Sequence, residues 1–148
     1  MRRWRERFWP TIDSPLSARR AVERAARITT LWAFVNVALG LVMTFSGTKA
    51  TDASSGQGQA LSGIAFLVPG VLYGLVAWRI RCMSRGWTLG GFCLASLMLL
   101  SDLAYAPSPV ALILHGVVLV YFINALRAVV SYERLVVEQS RSEVLGTL

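Results

Sequence analysis

Four stretches of this chain contain no charged residue, and each is close to the length of a membrane-spanning helix. They cover residues 28–48, 53–78, 86–101 and 103–126. A helix rises about 1.5 Å per residue and a bilayer core is about 30 Å thick, so about 20 residues cross it. The stretches are apolar all round, whereas a surface helix of a soluble protein carries one apolar stripe. This pattern predicts an all-α, polytopic membrane protein.

The turn-forming residues between these stretches set approximate bounds for four transmembrane helices. Helices are expected because lipid offers no partner to backbone N–H and C=O groups, which a helix pairs within its own segment. Barrel strands are excluded because they would alternate polar and apolar residues. We therefore predict a four-transmembrane-helix bundle over residues 28–126, with spans near 28–45, 60–78, 87–105 and 110–126.

Two charged segments flank the predicted transmembrane domain. Residues 1–27 form a basic and aromatic lead that is suited to the headgroup layer, where half-wet rings and cations meet anionic lipid. Within it, Ser14 and Pro15 are typical of a helix N-cap and first helical residue. Residues 127–148 are amphipathic and predict a C-terminal helix that extends the last span and lies at or near the membrane surface.

The basic residues predict the orientation of the chain. Arginines crowd the lead, the loop between the second and third spans, and the tail, whereas the only lysine, Lys49, lies in the polar loop of residues 46–59. Short flanks rich in Lys and Arg stay in the cytoplasm, so both termini are expected there. Arginine in place of lysine is consistent with a GC-rich genome, and we expect a bacterial inner-membrane protein.

Anionic lipid headgroups are the partners expected for most of these arginines. The lead carries too little independent structure to shape a nucleic-acid surface, so we expect no nucleic-acid partner. The predicted headgroup contacts are Arg2, Arg3, Arg5, Arg7, Arg19, Arg20, Arg24, Arg27, Arg79, Arg81 and Arg85.

Small residues in the second and third spans predict close helix packing. Gly70 and Gly74 form a G-x-x-x-G motif directly after Pro69, and Gly90 with Gly91 gives the third span a second small face. Small residues four apart allow two helix backbones to approach. Asn36 lies inside the first span, where an amide needs a partner and is expected to face another helix. Packing within the chain and packing with another subunit both fit this pattern.

One acid and one histidine are the candidate chemistry of the apolar part. Asp102 and His115 lie five and six residues from the predicted turn at residues 107–109, so both are expected roughly 7–9 Å below the outer surface. Antiparallel neighbours could bring them together as an intramembrane polar pair, which could relay protons. The alternative is structural: Asp102 reaches the outer interface and His115 bonds a neighbouring helix.

These features favour a structural or accessory role over catalysis. The chain has two cysteines and one histidine and no phosphate loop or metal-ligand cluster, so we expect no enzyme activity, cofactor or metal. The expected protein packs through its glycine faces with itself, as a homo-oligomer, or with a larger membrane complex. The alternative function is a small oligomeric transporter or channel in which Asn36, Asp102 and His115 line the path.

Overall fold

The chain folds into four long helices. The computed structural model describes residues 9–47, 53–105 and 109–146, and these residues contain no strand. We number the helices α1 to α4 in chain order. They are α1 Pro15–Gly47, α2 Ala53–Ile80, α3 Arg85–Tyr105 and α4 Pro109–Gly146. All four are long and apolar enough to cross a membrane, which confirms the predicted all-α class and the number of candidate spans.

The start of α1 is defined by two serines. The Ser17 backbone N–H donates to Ser14 Oγ at 3.2 Å, while Ser17 Oγ accepts from the backbone N–H groups of Asp13 and Ser14 at 3.2 and 3.1 Å. Three backbone N–H groups at the helix N-terminus, which lack partners within the helix, are thereby hydrogen-bonded. Ser14 and Ser17 each accept from the other's N–H, as in a capping box. Pro15 occupies the first helical position, as predicted, and the chain runs without a break from there to Gly47.

One boundary differs from the prediction. Residues 53–59 were expected in a polar loop but form the beginning of α2. The tail extends the fourth span, since α4 continues without a break for 38 residues. Neither Gly nor Pro occurs in residues 117–145, so nothing ends the helix where the apolar span stops. The predicted turn and the remainder of the first loop lie in residues 106–108 and 48–52, outside the described residues.

The helices pack mainly as neighbours in sequence. The most extensive interface joins α1 to α2, followed by α1 with α4 and α3 with α4, and the α2–α3 interface is much smaller. The core between them is built from small residues and a few large ones. Its buried members are Ala25, Ala26, Ala33, Tyr73, Val76, Ile80, Ala95, Val118, Phe122 and Ala125.

A second core closes the arginine-rich end of the bundle. Its buried members come from the start of α1 and the continuation of α4: Ala18, Ala21, Val22, Ala128 and Val129. Arg85 of α3 reaches Glu133 of α4 at 3.0 Å, and the Arg127 guanidinium lies 4.3 Å from the Trp9 ring centroid. The described beginning of α1 and the later part of α4 therefore lie at the same end of the bundle.

The distribution of side chains is reversed relative to that of a water-soluble bundle. Leu31, Phe34, Leu97 and Ile113 are among many large apolar side chains that point outward. The buried polar side chains are Thr29, Asn36, Thr88, His115 and Asn124. Contiguous apolar surface of this extent is rare on soluble monomers, but it is the natural outer surface of a protein in lipid.

Candidate functional site

Asp102 and His115 meet inside the bundle. His115 Nδ1 lies 2.6 Å from Asp102 Oδ2, and the exposed fractions of the two side chains are 10% for His115 and 27% for Asp102. The two atoms are close enough for an ion pair when the imidazole is protonated. His115 Nδ1 also lies 3.2 Å from the Ala111 carbonyl oxygen, to which it donates in the tautomer that carries a proton there. Asp102 Oδ2 accepts no hydrogen bond from the residues that the structure describes.

The α3–α4 hairpin produces this contact. Asp102 lies three residues before the end of α3 at Tyr105, and His115 six residues after the start of α4 at Pro109. Because the two helices are antiparallel neighbours, residues at similar distances from their connection face each other. The meeting that the sequence left as one of two alternatives is thus seen in the structure.

The other two helices each contribute an aromatic side chain to the same region. The Trp32 ring of α1 packs edge-on against the His115 ring, with centroids 5.0 Å apart and an interplanar angle of 88°. Tyr73 of α2 is fully buried, stacks near Phe122 with centroids 6.5 Å apart, and belongs to the core cluster against which Trp32 packs. We call Trp32, Tyr73, Asp102 and His115 the polar centre. Sequence reasoning missed Trp32 and Tyr73, since an aromatic residue in an apolar helix carries no distinguishing signal.

The polar centre contains polar atoms without partners. Four buried side-chain atoms form no hydrogen bond with the residues that the structure describes: Thr29 Oγ1, Trp32 Nε1, Tyr73 Oη and Asp102 Oδ2. A buried group left unsatisfied costs about 1–3 kcal/mol, so such groups require an explanation. Trp32 and Asp102 both contact His115, so this part of the core combines an indole, a carboxylate and an imidazole.

His115 is about 9 Å along α4 from its start at Pro109. Trp32, whose ring touches it, is about 22 Å along α1 from the end of that helix at Gly47. The contact therefore joins residues that lie at different distances from the ends of their helices.

The predicted packing glycines have different environments. A Cβ on Gly70 would meet Val37 Cγ2 at 2.8 Å, and one on Gly91 would meet the Phe122 ring and Val76. Gly74 is less crowded, with Ala33 Cβ at 4.0 Å. Gly90 has nothing within 4 Å, so it takes no part in packing among the described helices. Gly70 and Gly91 serve contacts within the chain.

The closest α1–α2 approach was not anticipated from the sequence. A Cβ on Gly40 would lie 2.8 Å from the Gly63 carbonyl oxygen, and one on Gly63 would lie 2.7 Å from the Gly40 carbonyl oxygen. These neighbours are backbone atoms that cannot turn aside. Gly63 and Gly70 are seven residues apart in α2, so they do not form the G-x-x-x-G spacing that predicts close helix packing.

Asn36 is buried at the α1–α2 interface. Its Nδ2 donates to the Trp32 carbonyl at 2.8 Å, within its own helix, and its Cβ lies beside Gly70. The amide thus faces another helix as predicted, but its hydrogen bond is not to that helix. This bond holds the Asn36 side chain against the backbone of Trp32. No interaction that the structure describes joins Asn36 to Asp102 or His115.

The predicted headgroup arginines gather at the end of the bundle closed by the second core. Arg79 lies 5.4 and 5.5 Å from the ring centroids of Trp78 and Trp87. Arg19, Arg27 and Arg81 line one cavity, and Arg20 and Arg24 line another. The predicted contacts at Arg2, Arg3, Arg5 and Arg7 lie outside the described residues.

Comparison with models of protein families, with curated proteins and with solved structures finds no match to this chain. Within residues 9–47, 53–105 and 109–146, no group of three or more His, Cys, Asp or Glu side chains is arranged to hold a metal ion.

Proposed function

We propose that this chain is a small multi-pass protein of a bacterial inner membrane, with both termini in the cytoplasm. The four apolar helices and the outward apolar side chains support membrane insertion. The arginines at the end shared by the start of α1 and the later part of α4 support the orientation, since short basic flanks are retained in the cytoplasm.

We further propose that the polar centre is a proton-binding site in a small transporter. The observation that carries this proposal is the 2.6 Å contact of Asp102 with His115 inside the bundle. Ionisable residues within membrane helices are costly and mark proton and ion pathways. A carboxylate beside an imidazole can accept and release a proton, and 27% of the Asp102 side chain is exposed at the surface of the bundle.

Proton flux into proteoliposomes tests this function. The full chain is reconstituted with an internal pH-sensitive dye, and a membrane potential is imposed with potassium and valinomycin. We expect flux above that of protein-free vesicles, and at least a ten-fold loss in Asp102→Asn and in His115→Gln. Ser96→Ala is the matched control, because Ser96 is a polar residue of α3 whose hydroxyl donates to the Phe92 carbonyl of its own helix.

Two outcomes would refute the transporter proposal. One is wild-type flux no greater than that of empty vesicles, and the other is unchanged flux in both pair variants. A spectroscopic check shows whether the Asp102–His115 pair exists, and circular dichroism shows whether the variants remain helical. His115 is the only histidine, so ¹⁵N-histidine labelling reports on this ring alone. Its Nδ1 signal should move in Asp102→Asn and stay in Ser96→Ala.

A second candidate is the structural or accessory role, in which the chain packs with itself or with a larger membrane complex. The observation in its favour is that Gly86 and Gly90 of α3 face open space, with no atom within 4 Å of an added Cβ. Small outward residues permit a helix of another subunit to approach. Gly90→Leu should then reduce co-purification of a partner or of a second copy in mild detergent. Gly116→Leu should not, because Gly116 of α4 is equally open but has Leu112 and Val120, rather than a second small residue, four positions away.

A further inference from the structure

We propose that a cleft on the arginine-rich end of the bundle binds the phosphate group of an anionic phospholipid. The cleft has a volume of about 380 Å³ and is lined by Arg19, Glu23, Arg27 and Arg81. Three guanidinium groups face one carboxylate there, which leaves an excess of positive charge. We call it the arginine cleft.

Two of its arginines are available to a ligand. Glu23 lies 3.7 Å from Arg19, an exposed pair on successive turns of α1. Arg27 and Arg81 form no ion pair or hydrogen bond with any residue that the structure describes. A guanidinium presents a planar fork of donors that matches the oxygens of a phosphate. The guanidinium groups of Arg27, in α1, and of Arg81, the residue after α2, form the anion site.

The surroundings of these arginines favour a lipid over free phosphate, which shares the same chemistry. Arg27 is followed on its face of α1 by Leu31 and Phe34, at i+4 and i+7, and both side chains are exposed. Trp78, three residues before Arg81, is exposed as well. A phosphate held by Arg27 and Arg81 would therefore have apolar surface leading away from it, along which acyl chains can lie.

Native mass spectrometry of the full chain, released from mild detergent with phosphatidylglycerol or with zwitterionic phosphatidylcholine, tests the site. We expect preferential retention of phosphatidylglycerol. The double variant Arg27→Gln, Arg81→Gln should bind it on the order of 25-fold more weakly, since one arginine near an anionic surface contributes about five-fold. Arg134→Gln, Arg141→Gln is the control, because it removes the same charge from exposed positions of α4.

A gain-of-binding variant makes the test independent of damage to the fold. Glu23→Gln removes the only carboxylate of the arginine cleft and should strengthen phosphatidylglycerol binding several-fold. Equal losses in the double variant and its control would overturn the proposal in favour of diffuse charge attraction. Inorganic phosphate that binds alone as tightly as the lipid would overturn the lipid assignment. The result is separate from that for the polar centre, since none of these variants alters Asp102 or His115.

Discussion

Gly63 decides how closely α1 and α2 can approach. Its own missing side chain leaves room for the Gly40 carbonyl and the Thr44 backbone nitrogen, each 2.7 Å from where a Cβ would be. Thr44 Oγ1 is also in the way, but because the Gly40 oxygen and the Thr44 nitrogen are backbone atoms, adding a methyl group requires the helices to separate. The α1–α2 interface, the largest in the bundle, thus depends on a residue with no side chain.

We predict that Gly63→Ala destabilises the protein by about 1–3 kcal/mol, the range for overpacking. Gly90→Ala is the control, since nothing lies within 4 Å of its Cβ position and alanine favours the helix by about 1 kcal/mol. Unfolding by SDS in mixed micelles, followed by circular dichroism, measures both. A Gly63→Ala protein as stable as Gly90→Ala would show that the two helices are not packed this tightly.

Tyr73 supplies a second prediction at the scale of single residues. Its ring is fully buried against Phe122, but its hydroxyl has no hydrogen-bond partner. Tyr73→Phe should therefore retain the packing, remove an unsatisfied group and raise stability by about 1 kcal/mol in the same unfolding assay. A loss of similar size would mean that the hydroxyl is bonded in the working protein, for example to a water molecule in the polar centre.

At the scale of elements, the start of α1 is stabilised by a serine cap. Ser14 Oγ accepts the Ser17 N–H, and loss of such a cap typically costs about 1 kcal/mol. We predict that amides in the first turn of α1 exchange with solvent about five-fold faster in Ser14→Ala. Ser140→Ala, which removes a hydroxyl bonded to Val137 within α4, should leave them unchanged. Unaltered exchange in Ser14→Ala would argue against the cap.

Element boundaries show where sequence reasoning succeeded and where it failed. Pro15 marks the start of α1 because its fixed φ and missing N–H are local properties. The extension of the fourth helix past Leu126 was expected from its amphipathic tail, but the packing partner of that extension was not. Ala128 and Val129 pack against the start of α1, a contact between distant parts of the chain that no local pattern predicts.

At the scale of the whole molecule, two native cysteines report on orientation. Both are exposed on the surface of the bundle, Cys82 directly after α2 and Cys93 within the apolar part of α3. If the basic end is cytoplasmic, a membrane-impermeant maleimide should label Cys82 in inverted vesicles but not in intact spheroplasts. Cys93 should resist labelling in both, since it would face lipid. Labelling of Cys82 in spheroplasts would reverse the proposed topology, and Cys82→Ser identifies the signal.

The amino-acid sequence alone determined that this chain forms four long apolar helices with its arginines in the intervening and flanking segments. The number of consecutive uncharged residues is a property of each segment by itself, so it can be counted along the chain. Tertiary structure decided that Trp32 and Asp102 both meet His115, that Tyr73 packs near Phe122, and that Gly40 meets Gly63. Those meetings depend on the rotation and axial offset of each helix, which are set by packing across all four helices at once.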